Sequence, residues 1–453
     1  MINRRSARLS GRALSRTAGA ALLALAAPLP AAAQMQVGGD PVAAAISDAG
    51  GLKEVRAFYA ARDGRPLWVR GGAIGPEADA LVRLMETADL DRLDSGDYHP
   101  RGLAAAVKRA REERSPKALA KAELLLSRSF AELARDMRTP RDVGVTYADA
   151  ELKPSAPRMR ALLDEAAAAP SLADFVAGLG WMSPIYAKLR LAAVAEALSD
   201  GRVDELIRLN LDRARALPTE NEAKRFVLVD AAAARLWMYE NGRVAGTMRV
   251  VVGKPSEPTP MMAALIRYAS VNPYWNIPPD LVRVRVAPGA IEQGPGFLKA
   301  KRFEALSGWE ADARVVDPKT IDWAAVQAGR IDARVRQLPG PNNAMGRIKF
   351  MFLNQFGVYL HDTPEKDLLK EDARLFSSGC VRVEDAPRLA RWLFGRPVST
   401  KISTPEKRVD LAEPVPVYIT YLTAAGENDR LVFRSDPYGR DKGLNDGQRL
   451  AAR

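Results

Sequence analysis

Near Asn221 the chain changes period. From about Asp40 to Pro218 it is rich in Ala, Leu, Arg and Glu and reads as helices; beyond Asn221 it breaks into short β-branched and aromatic runs punctuated by turn residues. A block of helices followed by a block of strands predicts an α+β chain. Its 453 residues are enough for two or three domains at roughly 150 residues each.

In the helical block, Ser115 is placed to cap a helix with Pro116 in its first position and Leu119, Leu124, Leu125 and Phe130 along one side. Other helices are expected from Pro76 through Met85, at Met159 to Ala168, at Leu172 to Leu179 and at Val203 to Ala216. Strands are expected at Phe226 to Val229, Arg235 to Tyr239, Thr247 to Val252, Arg347 to Leu353, Gly357 to Leu360 and Pro416 to Leu422. Asn241-Gly242 marks a hairpin, because both central positions of such a turn need positive φ. Between Pro278 and Gln337 the chain is irregular, with a short helical piece around Trp323 to Gly329. A segment that long between strands reads as a lid or capping subdomain.

The N-terminus reads as an export signal. Arg4, Arg5, Arg8, Arg12 and Arg16 stand without an acid before an Ala/Leu run, Thr17 to Ala33, which ends in Ala31-Ala32-Ala33. That run is about 17 residues long and broken by Pro28 and Pro30, where a membrane span needs about 20. Cleavage would leave a periplasmic protein with no stable span; Sec and Tat routes both stay open. It would also take the net charge from +12 to +7. No basic run interleaved with aromatics remains, so nucleic acid is not expected as a partner, whereas an anionic cell-wall polymer is compatible.

Two His and one Cys cannot build a Cys/His zinc site, and no phosphate-binding or dinucleotide glycine motif occurs. The expected chemistry uses no metal and no cofactor. The sole cysteine sits in Phe376-Ser-Ser-Gly-Cys-Val-Arg382, a small-residue turn ahead of a helix expected from Asp385 toward Leu393. Such a turn can support a nucleophile and present backbone N–H groups to an oxyanion. His361 lies nineteen positions upstream at a strand end. A free thiol is only a few per cent ionised at neutral pH, so an adjacent imidazole is its natural activator. The other histidine, His99, reads as a surface or capping residue. Ser377 and Ser378 read as small loop residues, since no G-x-S-x-G elbow surrounds them.

Val358-Tyr-Leu-His-Asp-Thr-Pro364 followed by Phe376-Ser-Ser-Gly-Cys-Val-Arg-Val-Glu384 resembles the signature of the L,D-transpeptidases, the YkuD-type peptidoglycan cross-linking enzymes. Val252-Gly-Lys-Pro255 with Thr259-Pro260, Asn272-Pro-Tyr-Trp-Asn-Ile-Pro278, Arg336-Gln-Leu-Pro-Gly340 through Gly346 and Asp436-Pro-Tyr-Gly-Arg-Asp441 resemble its large, capped subgroup. Phe58 to Trp68 resembles the opening of that subgroup's helical scaffold. The resemblance implies a signal at 1–33, a helical scaffold at 34–220, and a mixed β-sandwich catalytic domain at 221–400 with a lid at about 279–337. The strand and tail at 401–453 would pack on the catalytic domain.

The same resemblance implies site roles. Cys380 would be the nucleophile and His361 the general base and acid. The Asp362 carbonyl would orient the imidazole, and the Gly379 and Cys380 backbone N–H groups would hold the oxyanion. Tyr359, Arg382, Trp275, Ser378 and Asn343 are the candidate substrate contacts. The substrate would be peptidoglycan peptide stems, joined as 3-3 or 1-3 cross-links, with cell-wall synthesis proteins as possible partners and carbapenems as acylating inhibitors. Hydrolysis of the same acyl-enzyme, either trimming stems or detaching a wall anchor, is the alternative; an inactive wall-binding scaffold is another. Ser378 stands where the family usually has His, and no peptidoglycan-binding insert occurs between Gly178 and Glu222.

Overall fold

The computed structural model describes residues 40–200, 205–310 and 312–441. The expected export signal at 1–33 lies outside the described residues. None of the described helices is long and apolar enough to cross a membrane.

Helix α1, Pro116–Arg138, is the axis of the N-terminal half. Ser115 Oγ accepts the Ala118 N–H at 3.2 Å, and Pro116 takes the first turn, where no intrahelical partner is needed. The core stripe is Leu119, Leu126, Phe130, Leu133 and Met137, while Leu124 and Leu125 are only part-buried. Full burial of a side chain such as Phe130 contributes about 1.5–3 kcal/mol. Glu123 lies on the same buried face because its carboxylate receives the N–H groups of Leu67, Trp68 and Val69 and the Tyr59 hydroxyl. It thereby ties the chain around Trp68 to the axis. Helices α2, Pro184–Asp200, and α3, Glu205–Arg215, close this half.

The second half is a sheet of β1, Arg225–Asp230; β2, Arg235–Glu240; β3, Arg243–Gly253; β4, Met262–Val271; β5, Ile348–Met351; β6, Leu360–His361; β7, Val381–Val383; and β8, Lys407–Thr420. The hairpin turn between β2 and β3 is Asn241-Gly242, with φ of 48° and 71°. The strands run in the order β5, β6, β7, β3, β2, β1, β8, β4, and β4 pairs back onto β5, so the sheet closes on itself. The two layers of the expected sandwich are therefore continuous at their edges, which leaves few unpaired backbone groups. Val229, Leu236, Val252, Ile266, Phe350, Leu360, Val381 and Ile419 fill one enclosed core, which α4, Ala386–Phe394, caps with Leu389 and Leu393. Phe226, Leu228 and Tyr418, on the opposite face, pack with Leu217 near the end of the helical half.

Residues 275–337 form a subdomain with its own four-stranded sheet and its own apolar cluster around Val282, Val286, Leu298 and Val335. It begins at the strand Trp275–Ile277, ahead of the expected boundary at 279. The C-terminal segment also differs from expectation. Rather than packing on a domain that ends at 400, β8 is an internal strand, paired with β1 on one side and β4 on the other. The hairpin that follows it, Ala424–Glu427 with Arg430–Phe433, packs on the helical half through Leu422, Ala424 and Phe433.

Candidate active site

Strands β6 and β7 are parallel neighbours with Leu360 opposite Val381 and His361 opposite Arg382. Side chains alternate across a strand, so Val358, Leu360, Val381 and Val383 enter the core. Tyr359, His361, Cys380 and Arg382 consequently share the opposite face. That face is the floor of a cleft of about 620 Å³ whose far wall is the lid. Trp275, Leu281, Arg285 and Phe297 come from the lid; Gly357, Tyr359, His361, Ser378, Cys380 and Arg382 come from the floor.

His361 is 1% exposed. Its Nδ1 lies 2.6 Å from the Asp362 carbonyl oxygen. A carbonyl can only accept, so Nδ1 carries the proton and Nε2 keeps the free lone pair. Burial, with the nearby charges of Arg382 and Lys349, pulls the imidazole down to about 3, against the opposing pull of Asp362. Burial also pushes the Cys380 thiol up, opposed by the Tyr359 backbone and by the charges of Arg382 and Lys349. The pair rests as neutral imidazole and neutral thiol. Cys380 is part-exposed, with its Sγ 3.7 Å from the Gly357 carbonyl oxygen.

The nucleophile turn is braced from several directions. Gly379 has φ of +102°, a conformation that side-chain-bearing residues avoid. The Ser377 hydroxyl donates to the Cys380 carbonyl at 2.5 Å and accepts the Gly379 N–H at 3.2 Å. Thr259, fully buried, accepts the Gly253 N–H at 2.8 Å and donates to the Gly379 carbonyl at 2.9 Å, joining the end of β3 to the turn. The Gly379 amide is thus already engaged by Ser377, while the Cys380 amide makes no hydrogen bond among the described residues.

The other expected contacts divide. Tyr359, Trp275, Ser378 and Arg382 line the cleft. Arg382 is also paired with Glu365, and Ser378 accepts a hydrogen bond from Arg285 of the lid at 2.7 Å. Asn343 does not face the cleft. It is 1% exposed, and its amide is spent on the Gln337 and Leu338 carbonyls and the Met345 N–H, so it braces the loop that leaves the lid. His99 is the residue before the helix Pro100–Glu113, with positive φ, and lies in the helical half. The Thr259-Pro260 block marks Thr259 in the sequence without giving it a role, and sequence reasoning missed Arg285 and Lys349. Of these two only Lys349 left a local mark, as a charge inside the apolar run Ile348-Lys-Phe-Met351. Among the described residues no group of three His, Cys, Asp or Glu side chains gathers to hold a metal ion.

Residues 53–192 match a scaffold domain and residues 224–417 match the L,D-transpeptidase catalytic domain, YkuD. A Haemophilus influenzae protein assigned to the L,D-transpeptidases is 29% identical over 283 residues, which cover 60% of this chain and 56% of that protein. The chain thus spans little more than half the length of that relative. Among solved structures, an L,D-transpeptidase from Mycobacterium smegmatis aligns at 14% identity and a TM-score of 0.22, covering 44% of this chain and 58% of its own. One from Enterococcus faecium aligns at 16% identity and a TM-score of 0.20, covering 43% and 49%. The chain therefore carries a scaffold domain ahead of an L,D-transpeptidase catalytic domain of the YkuD type.

Proposed function

We propose that this protein is an exported, cysteine-dependent peptidoglycan L,D-transpeptidase acting in the periplasm. The observation that carries the reading is the placement of Cys380 and His361 on one face of adjoining strands, beneath a lid and beside a backbone N–H free to receive an oxyanion.

The steps follow from the groups present. Cys380 Sγ attacks the carbonyl carbon of the third stem residue, a diamino acid, while His361 Nε2 takes the thiol proton. The negative charge on the carbonyl oxygen is met by the Cys380 N–H and by the Gly379 N–H as it leaves Ser377. Collapse breaks the bond to the terminal D-alanine, whose nitrogen receives the proton from His361, leaving a thioester on Cys380. An imidazolium disfavoured by burial and by two neighbouring cations is a strong acid, which suits this second transfer. The acceptor stem's amine then attacks the thioester, passes its proton to His361 and restores the thiol. No cofactor takes part. Water in place of the amine would give stem trimming or anchor release at the same pair.

A carbapenem is the most direct probe of the acyl-enzyme. Intact-protein mass spectrometry should show one adduct on the wild type and none on Cys380→Ala; an unmodified wild type with native fold would count against a reactive Cys380.

A further inference from the structure

Lys349 is a lysine inside a sheet. It lies on β5 directly opposite His361, so the two side chains share the site face, yet it is only 8% exposed. Lysines are seldom this buried without a charge partner. Its ammonium sits 5.0 Å above the Tyr359 ring and 3.9 Å from a Glu406 carboxylate oxygen. On its other side stands Ser270, whose buried hydroxyl has no hydrogen-bond partner. The lysine is therefore not there to satisfy the polar groups of the sheet.

Of the cations on the cleft floor, Arg382 is the more closely neutralised. It is clasped by Glu365. Lys349 has one carboxylate, at the outer limit of an ion pair, on a residue whose own side chain is 40% exposed. The groups facing the thiol or this ammonium are His361 on β6, Tyr359 just before it, Arg382 on β7, Glu406 before β8 and Tyr268 on β4. Among these, Lys349 is the cation least compensated by its surroundings, and its charge favours thiolate at Cys380 and opposes imidazolium at His361.

We propose that Lys349 is a positioning residue for acyl transfer: its ammonium, held by the Tyr359 ring and Glu406, supplies the fixed positive charge that stabilises the Cys380 thiolate while keeping His361 neutral. The inference rests on the cysteine acyl-transfer reading above and deepens it. In the first step the thiol proton goes to His361 and negative charge passes from sulfur to the carbonyl oxygen, with Lys349 gaining and losing no proton.

Cys380 is the only cysteine in the chain, so alkylation by iodoacetamide reports its thiolate directly. The rate is measured against pH for the full chain carrying Lys349→Met, Lys349→Gln or Lys349→Arg, with melting temperature recorded for each. Both neutral variants should move the midpoint up by about one pH unit, slowing alkylation near neutrality about tenfold, while Lys349→Arg stays within about threefold of wild type. Whichever neutral variant keeps the wild-type melting temperature decides the matter. A midpoint unchanged in that variant overturns the proposal, as does Lys349→Arg shifting as far as the neutral variants. Wild-type acylation by a carbapenem is scored separately. Acylation with an unmoved midpoint rejects the role of Lys349 alone; no acylation rejects the acyl-transfer reading whatever the midpoint does.

Discussion

The Nδ1 of His361 and the carbonyl oxygen of Asp362 lie 2.6 Å apart, a contact between adjacent residues that fixes which imidazole nitrogen is free. A local turn of backbone thus does what a buried carboxylate does in other nucleophile–histidine pairs, and it does so without adding a full negative charge beside the ring. Gly346 makes room for this arrangement: it has positive φ, and a Cβ there would meet the Asp362 side chain at 2.6 Å.

Replacing the ring should separate catalysis from folding. His361→Gln is expected to lower turnover about a hundredfold to ten-thousandfold. It should also change the pH dependence of stability. The imidazole is pulled from 6.5 to about 3 in the folded protein, so the unfolded chain binds the proton more tightly. Stability contributed by the neutral ring is present above about 6.5 and is lost as pH falls toward 3. Melting temperature between these limits should fall more steeply in wild type than in His361→Gln; equal slopes would contradict a buried neutral imidazole.

Thr259→Val keeps the shape of the side chain but strands the Gly253 N–H and the Gly379 carbonyl. Leaving buried polar groups unpaired costs about 1–3 kcal/mol each. A lower denaturant midpoint, together with slower alkylation of Cys380, is expected. An unchanged midpoint would show that the turn does not depend on this bracket.

The contact between Arg285 and Ser378 joins the lid to the nucleophile turn across the cleft. Arg285 lies in a single π-helical segment, Val282–Val286, a geometry that often marks functional positions. The bond is solvent-accessible, so Ser378→Ala should change turnover several-fold, in line with a net worth of about 0.5–1.5 kcal/mol. Arg285→Ala should match it, and the double variant should be no worse than either single one. Additive losses would place the two residues in separate roles.

Arg213 on α3 and Asp441 near the end of the described chain form a buried ion pair at 2.7 Å, with Thr423 beside it. Removing one partner of such a pair costs about 3–5 kcal/mol. Arg213→Ala should lower the denaturant unfolding midpoint accordingly; an unchanged midpoint would show that the pair contributes nothing net to stability.

What could be read in the sequence was local. The Ser115-Pro116 helix start, the Asn241-Gly242 turn and the helix Met159–Ala168 each rest on residues within a few positions of one another. The Cys380 and His361 candidates were legible because a motif records chemistry as well as shape. The rest depends on pairings across long stretches of chain. Closure of the sheet requires β8 to lie between β1 and β4, which no periodicity announces. Thr259 reaches Gly379, and Arg285 reaches Ser378, across about a hundred residues, so the Thr259-Pro260 block carried no hint of its partner and Arg285 had no neighbour in sequence to betray it. Asn343 was misread for the converse reason: its partners are all within a few residues, and a polar side chain in a candidate loop can be consumed by its own turn.

The measurement closest to the central claim is mass spectrometry of muropeptides after purified tetrapeptide-bearing disaccharides are incubated with wild type and with Cys380→Ala. The account predicts cross-linked dimers with loss of terminal D-alanine from the wild type alone, and their fragmentation assigns the link as 3-3 or 1-3. Tripeptides without dimers would instead establish a hydrolase, and dimers formed equally by Cys380→Ala would contradict acyl transfer through Cys380.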